Sequence, residues 1–375
     1  MTKLFTIFIC SLLFAYLTER TTVGVYGDGR RQPAGNRFLY TMLLITMILP
    51  AGLRAYYNDT GAYIRNFTES TGLAGLLTSG ELHILQNPAF SLYTALVRSF
   101  TDNYTVFFML AAIFVQASFV HTIRLYVRPF TAGIGLFFCL GTYVFSLAAM
   151  KQTIAMAILM LAIPRLLRKQ YIQYFLIVFA AFLFHTYAIA FIILPLFHVK
   201  PWKWRTYVLL VGIFIIMGNF EPIIGSFLDY ANESGKSIAE YEVFDNAQVN
   251  ILRVMVYAVV PVMSLLFRKY LFNDKNEKPY WLFVNMSIIS CSIMLLGTIS
   301  GANMFARMAM YFEIGIVCSL AWMVKKIFAA DTRQMVFSVA AVCFLIFFIY
   351  ANAVALRFDD SYGTVSLREF IVSLF

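Results

Sequence analysis

Runs of apolar residues, broken by short polar and basic segments, make up most of this chain. Most runs are about 15–20 residues long, close to the length with which an α-helix crosses the hydrocarbon core of a bilayer. The run over 171–199 is too long for one helix, and we predict two short helices that bend at His185-Thr186. The other predicted helices cover 4–17, 38–53, 104–122, 130–149, 153–167, 207–218, 251–267, 280–299, 307–324 and 335–354.

Composition supports a membrane protein. Of the 375 residues, 61% are hydrophobic and 13% are charged, whereas a soluble domain is about half apolar and a quarter charged. Spanning segments must pair their own backbone groups, which favours helices, and the short alternating segments of a barrel are missing. We therefore predict an all-α, polytopic integral membrane protein with about 12 transmembrane or re-entrant helices. It forms a single transmembrane domain over 1–375, with no soluble domain.

The distribution of positive charge predicts how the chain is oriented. The net charge of +10 does not indicate nucleic acid, because the basic residues lie in short loops between apolar runs. Of the 29 Lys and Arg residues, 19 fall in one set of alternate loops and 10 in the other set or at the chain ends. The richer set belongs inside. Both ends of the chain are then outside, as are two long loops over about 54–103 and 219–250. Asn87-Pro88 begins a predicted amphipathic surface helix in the first loop.

Four cations lie at the outer ends of apolar runs, against this trend. They are Arg54, Lys151, Arg253 and Arg307. Such residues either reach outer phosphates of the bilayer or face a cavity or partner. Four on one side favour a shared anionic site. Arginine binds phosphate through two parallel hydrogen bonds and lysine supplies a point charge, so we expect a phosphate or diphosphate.

The stretch over 53–67, which reads LRAYYNDTGAYIRNF, forms one wall of this predicted site. It contributes Asp59, Tyr63 and Arg65 beside Arg54. Its tyrosines could stack on sugar rings, although tyrosine is also common at membrane interfaces for general reasons. Later in the chain, Arg307 and Tyr311 are four residues apart, and we expect them to share one helix face.

The sequence shows no metal-ligand pattern. The five cysteines lie inside apolar runs with no close pair, and the four histidines are far apart. We therefore expect neither a metal nor a cofactor.

Three short motifs carry a resemblance to a known family. The first is Leu53-Arg54 followed by Asp59-Thr60 and Tyr63. The second is Lys151-Gln152 opening a helix, followed by AAFLFH, which ends at His185. The third, RMAMYF, begins at Arg307. In these motifs the chain resembles the EpsG family of bacterial polysaccharide polymerases, which are related in role to Wzy proteins.

The chain departs from the family pattern at three places. Lys151 stands where the family often has arginine, so the charge remains without bidentate binding. Asn58 stands where the family has glycine. Asn87-Pro88-Ala89 stands where the family often has Glu-Pro-Gly, which leaves a glutamate role at that place in doubt.

The resemblance implies a metal-independent glycosyltransferase, a polymerase of capsular, exopolysaccharide or O-antigen repeat units. Such an enzyme moves the growing glycan from undecaprenyl diphosphate to the next lipid-linked unit. It is a multi-pass protein of the bacterial cytoplasmic (inner) membrane, with its active site on the outside or periplasmic face. Its partners are the lipid-linked donor and acceptor glycans and membrane lipids, with a chain-length regulator and a flippase as further candidates.

We therefore assign roles as hypotheses. The clamp for the diphosphate is Arg54, Lys151 and Arg307, and the further substrate-binding residues are Tyr63, Arg65, Gln152, Arg253 and Tyr311. The base that takes the acceptor proton is Asp59 or His185. A carboxylate among arginines is a weak base, whereas histidine titrates near neutral pH.

Other interpretations stay open. Asp59 could instead be a helix N-cap, and His185 a hydrogen-bonded residue at a helix break. The alternatives to a polymerase are a flippase or transporter for the same lipid-linked sugar, and an O-antigen ligase or related lipid-to-lipid glycosyl- or acyltransferase.

Overall fold

The computed structural model describes residues 2–21, 36–79, 87–219, 248–299, 304–355 and 357–374. In the N-terminal half the α-helices are α1 (Thr2–Arg20), α2 (Arg37–Gly52), α3 (Thr60–Thr68), α4 (Gly72–Ser79), α5 (Pro88–Arg98), α6 (Tyr104–Tyr126), α7 (Phe130–Cys139), α8 (Thr142–Ala148), α9 (Met150–Leu167) and α10 (Tyr171–Phe184). In the C-terminal half they are α11 (Trp204–Gly218), α12 (Ile251–Leu266), α13 (Arg268–Leu271), α14 (Lys278–Leu296), α15 (Met304–Met310), α16 (Ile314–Ile327), α17 (Ala330–Ile349), α18 (Phe358–Ser361) and α19 (Leu367–Val372). Two 3₁₀ helices cover Thr186–Phe197 and Lys275–Glu277, a π-helical turn covers Tyr350–Ala355, and two strands, β1 (Arg54–Tyr56) and β2 (Gly363–Thr364), pair with each other.

The prediction of an all-α polytopic membrane protein is confirmed. Within the described residues, five helices are long and apolar enough to cross a membrane. They are α1, α6, α9, α14 and α17 with its π-helical extension, and the count reaches seven if the bent pairs α7–α8 and α15–α16 are each one span. Five shorter apolar helices lie between them. The count of about 12 and the position of both chain ends outside stay predictions. Most of the predicted outer loop over 219–250 lies outside the described residues.

The contacts divide the chain into two compact units, 1–189 with 334–375 and 190–333. In the first unit, α2 packs on α1 and α6, and α9 packs on α6 and α10. Gly52 permits the close approach of α2 to α6, because a side chain there would meet Met109 of α6. Gly52 is the last residue of α2, so this close contact lies two residues before Arg54.

In the second unit, α14 is the central helix and packs against α11, α12, α15 and α16. Gly315 lets α16 lie against α14, because a Cβ atom there would overlap the Phe283 carbonyl and the Met286 side chain. The helices α15 and α16 meet at a 55° bend. The residues at that bend are consequently held firmly against α14.

Helix breaks occur near two of the sites that the sequence pointed to. The break at His185 is confirmed: α10 ends at Phe184, and His185 has extended backbone before the 3₁₀ helix starts at Thr186. The break near Lys151 is one residue long and falls at Ala149. Lys151 and Gln152 lie in the first turn of α9, so they open a helix as the second motif predicts.

The C-terminal tail folds back on the first unit. The strand β2 pairs antiparallel with β1, with Thr364 opposite Arg54 and Gly363 opposite Tyr56. The Val365 amide donates to the Leu53 carbonyl at 2.8 Å. No pattern along the chain predicts this pairing, because a two-residue strand is too short to show alternation.

Candidate functional site

Arg54 is the more deeply buried of the two cations in the stretch over 53–67, with 2% of its surface exposed. The guanidinium donates from Nη1 to the Ala51 carbonyl at 2.6 Å and from Nη2 to the Met150 sulfur at 3.4 Å. Its carbon lies 4.1 Å from the centre of the Phe108 ring. The Nε atom is buried without a hydrogen-bond partner. The fold thus places a planar donor group inside an apolar and aromatic environment.

No carboxylate pairs with Arg54 among the residues that the structure describes. Burial lowers the pKa of Arg54 to about 10, and the surrounding tyrosines oppose this change only in part. These tyrosines are Tyr63, Tyr362, Tyr93 and Tyr143. A pKa near 10 leaves the group charged at neutral pH. A buried charge with no partner costs several kcal/mol, so this site gains stability when an anion arrives.

Lys151 follows Met150, the residue whose sulfur accepts a hydrogen bond from Arg54. Lys151 is half-buried, and its ammonium nitrogen is 5.1 Å from the centre of the Phe90 ring. Phe90 also packs on Tyr63, with 5.8 Å between ring centres. The carboxylate of Asp59 stabilises the charge of Lys151. We call the group Arg54, Asp59, Tyr63 and Lys151 the Arg54 site. It contains two cations and one carboxylate, so its net charge is positive.

Asp59 occupies the N-cap position of α3 but does not cap the helix. Its side chain makes no hydrogen bond to the first amides of α3. Instead, the Thr60 hydroxyl donates to the Tyr57 carbonyl at 2.6 Å. The half-buried carboxylate therefore does not cap the helix, as the alternative interpretation proposed. It stays available as a base.

The C-terminal tail closes the Arg54 site from another direction. The Tyr362 hydroxyl donates to the Pro50 carbonyl at 2.7 Å, and the Tyr362 ring stacks on Phe358 at 4.7 Å. Lys3 of α1 donates from Nζ to the Tyr362 carbonyl at 2.8 Å. The tail is thus bonded to both α1 and α2, and Tyr362 is one of the four tyrosines around Arg54.

The other predicted residues of the first unit lie at different depths. Gln152 is buried at 2% exposure in the first turn of α9. His185 is half-buried at the helix break, 5.0 Å from the Tyr187 ring in an edge-to-face arrangement. Arg65 is exposed, because Thr60, Tyr63 and Phe67 form the buried face of α3. The structure therefore does not bring Arg65 to the buried guanidinium of Arg54.

A second charged group lies in the other unit. Arg253 is half-buried in the first turn of α12, and its guanidinium carbon is 5.8 Å from the centre of the Tyr257 ring. The Tyr257 hydroxyl donates to the carboxylate of Glu313. Tyr257 and Glu313 are both fully buried, and the charge of Glu313 acts on Arg253. We call these three residues the Arg253 relay.

Arg307 and Tyr311 were expected to share one helix face, but the helix ends between them. Arg307 is half-buried in the last turn of α15. That helix ends at Met310, and the amides of 311–313 bond three residues back instead of four. Tyr311 lies in this turn and is 1% exposed. The spacing argument for an α-helix is therefore wrong at this bend.

The comparison with protein families now decides where the chain belongs. The model of the EpsG family matches residues 37–362, which is most of the 375 residues. The chain belongs to the EpsG family. A search of curated proteins and a search of solved structures both find no match.

Membership in the EpsG family fits the geometry of the Arg54 site. The family is associated with polysaccharide polymerisation, and the match includes Arg54, Lys151, His185 and Arg307. In this EpsG-family chain the structure brings Arg54, Asp59, Tyr63 and Lys151 together within the first unit. It places Arg253 and Tyr257 beside Glu313 within the second. A single clamp that joins Arg54, Lys151 and Arg307 stays a prediction.

Sequence reasoning missed Tyr257, Glu313 and Tyr362. Glu313 could have been found, because a carboxylate inside the apolar run over 307–324 marks a functional position by default. Tyr257 follows Arg253 by four residues, the spacing of neighbours on a helix face. Tyr362 gave no signal, since its role depends on the return of the tail. Among the described residues, no group of three or more His, Cys, Asp and Glu could hold a metal ion.

Proposed function

We propose that this EpsG-family chain is a membrane glycosyltransferase that polymerises undecaprenyl-diphosphate-linked oligosaccharide repeat units. The product is a capsular polysaccharide, an exopolysaccharide or an O-antigen, made on the non-cytoplasmic face of the bacterial inner membrane. One observation carries the proposal beyond the family match. Arg54 is a buried, charged guanidinium with no carboxylate partner in the described chain, and it bonds to Met150, the residue before Lys151.

The chemistry of the transfer needs such a group. The oxygen of the acceptor hydroxyl forms a bond to the anomeric carbon of the donor sugar. The bond between that carbon and the diphosphate oxygen breaks, and its electron pair leaves with the diphosphate. Cations placed where this charge develops stabilise the transition state. Arg54 and Lys151 do so in the first unit, and Arg307 is the third proposed member of the clamp.

A base takes the proton of the acceptor hydroxyl. The carboxylate of Asp59 acts on Lys151 and is not used for capping. His185 lies at a helix break, where a side chain can be presented to a cavity. Both stay candidates, and the reaction is proposed to need no metal or cofactor.

Polymer synthesis by the purified protein tests the proposal. The protein in detergent receives a synthetic undecaprenyl-diphosphate repeat unit, and products are separated on a gel. We expect a ladder with steps of one repeat, lost in Arg54→Ala and kept in Arg168→Ala. Arg168 is an exposed arginine at the end of α9 and serves as the matched control.

Two other outcomes would reject the polymerase. A folded wild-type protein that makes no ladder from intact substrate, but transfers one glycan to a lipid A acceptor, is a ligase. One that makes no transfer product, but moves the lipid-linked unit across a liposome membrane, is a flippase.

A further inference from the structure

Arg253 lies near the N-terminus of α12, a position where the helix dipole disfavours a positive charge. Arg253 lies in the first turn of α12, after the cap formed by Asn250, whose side chain accepts from the Leu252 amide at 2.9 Å. The N-terminus of a helix carries partial positive charge, so a cation in the first turn is unfavourable. Its presence there is consequently explained by contacts outside the helix backbone.

Those contacts form a chain from the surface into the core of the second unit. Arg253 is half-buried, the ring of Tyr257 lies beneath it one turn later, and the Tyr257 hydroxyl bonds to Glu313. Glu313 begins α16 without capping it, at the 55° bend between α15 and α16. The carboxylate is therefore directed to Tyr257 and across to another helix.

A side-chain hydrogen bond to Tyr257 uses only part of the capacity of the Arg253 guanidinium, which carries five N–H donors. No ion pair joins Arg253 to a carboxylate in the part of the chain that the structure describes. The charge of Glu313 acts on Arg253, Glu313 accepts a hydrogen bond from the Tyr257 hydroxyl, and the tyrosine ring supports the guanidinium by a cation–π contact. Residues that orient a binding group from behind in this way fix its geometry before the ligand arrives.

We propose that Tyr257 and Glu313 are positioning residues for Arg253, which binds the diphosphate of an isoprenoid-linked substrate in the second unit. The inference rests on the proposed function for the identity of the ligand. It adds an anion-binding group on the second unit, built differently from the Arg54 site of the first. A purely structural relay would instead tie α12 to α16 and leave ligand binding unaffected.

Binding of a simple isoprenoid diphosphate tests this without any turnover. Radiolabelled farnesyl diphosphate is titrated by scintillation proximity onto the purified full-length protein in detergent. To isolate the second unit, the titration uses the Arg54→Met background. We expect Arg253→Ala, Tyr257→Phe and Glu313→Gln each to weaken binding about tenfold, the loss of one charge-assisted hydrogen bond.

The double variant Arg253→Ala/Tyr257→Phe separates positioning from direct contact. If Tyr257 acts only through Arg253, the double variant binds no more weakly than Arg253→Ala alone. In polymerisation, Tyr257→Phe is expected to raise KM with little change in kcat. Glu277→Gln is the matched control, because Glu277 pairs with Lys326 at 3.1 Å in the same unit and touches no member of the relay.

The inference is overturned if Arg253→Ala binds the probe as tightly as its background, or if the background does not bind it. It is also overturned if Tyr257→Phe and Glu313→Gln bind normally while Arg253→Ala does not. Tyr257→Phe decides the matter if Glu313→Gln fails to fold, because it keeps the ring. Probe binding through the relay by a protein that makes no polymer would reject the proposed function and leave this inference standing.

Discussion

Arg54 in the first unit and Arg253 in the second both bring a guanidinium to an apolar helix end, but their surroundings differ in charge. Arg54 is enclosed by aromatic rings and a thioether, with no carboxylate partner in the described chain. Arg253 is half-buried and supported by Glu313 through Tyr257. The first arrangement costs stability until an anion binds, whereas the second is already balanced. We therefore expect Arg54 to serve ligand binding and Arg253 to contribute to the fold as well.

The sharpest test of this difference is Arg54→Met. We expect polymer synthesis to fall at least about a hundredfold, the size seen when a donor to a developing oxyanion is removed. Because burial lowers the pKa of Arg54 to about 10 from 12.5, the folded state disfavours its charge by about 3 kcal/mol. Removal of the charge therefore should raise thermal stability while activity is lost.

The sign of this effect can be checked with pH. The unfolded chain holds the Arg54 proton more tightly than the folded chain does, so the cost is fully present below pH 10. As the pH rises from about 10 towards 12.5, the stability of the wild type should increase relative to that of Arg54→Met. Thermal unfolding of both proteins in detergent measures this difference in stability. A lower stability for Arg54→Met than for the wild type at neutral pH would mean that the charge of Arg54 does not cost stability.

The matched change in the second unit, Arg253→Met, should act in the opposite direction. It leaves the fully buried Glu313 without the cation that balances it, and we expect a loss of about 2 kcal/mol. The same thermal unfolding assay applies. Addition of Glu313→Gln to Arg253→Met should recover most of the loss, and no recovery would mean that the two charges are not coupled.

Lys151→Met should have a smaller effect than Arg54→Met. Lys151 is half-buried and already interacts with Asp59, so its net contribution to anion binding is partly compensated. We expect KM for the lipid-linked unit to rise about tenfold, the value of one charge-assisted hydrogen bond. Steady-state kinetics measures it, with Lys151→Arg expected to stay close to wild type; equal losses in both variants would contradict a charge role.

Tyr362→Phe should have the smallest effect. It removes the hydrogen bond to the Pro50 carbonyl and leaves the stacking on Phe358 in place. One buried hydrogen bond is worth about 1 kcal/mol, so we expect a loss of a few-fold in activity. Tyr350→Phe, in the π-helical turn of the same unit, is the control. A loss as large as that of Arg54→Met would mean that the tail does more than hold β1.

The sequence predicted the parts of the fold that depend on local pattern. Apolar runs located most of the long helices to within a few residues, but the predicted helices over 130–149 and 307–324 are each broken by a bend. The excess length of the run over 171–199 located the break at His185. The short apolar segments could not show how many helices cross the membrane, because length and composition do not distinguish a short span from a re-entrant helix.

The candidate site was predictable only where its residues lie in one stretch. Arg54, Asp59 and Tyr63 fall within ten residues of one another, and the fold brings Lys151 to them through the start of α9. Tyr311 was misplaced, because helical spacing does not continue through the bend between α15 and α16. Tyr257 and Glu313 are 56 residues apart, and no local pattern connects them.

The hydrogen bond from Arg54 to the sulfur of Met150 gives the site a natural spectroscopic reporter. Met150 is buried, and its sulfur lies 3.4 Å from the Nη2 atom of the Arg54 guanidinium. With ¹³C-methyl methionine, the resonance of Met150 can be assigned among the 17 methionines by Met150→Leu. An anion that draws the guanidinium away from the sulfur changes the shielding of this methyl group. The first step of substrate capture can thus be followed by NMR before any glycosidic bond has formed.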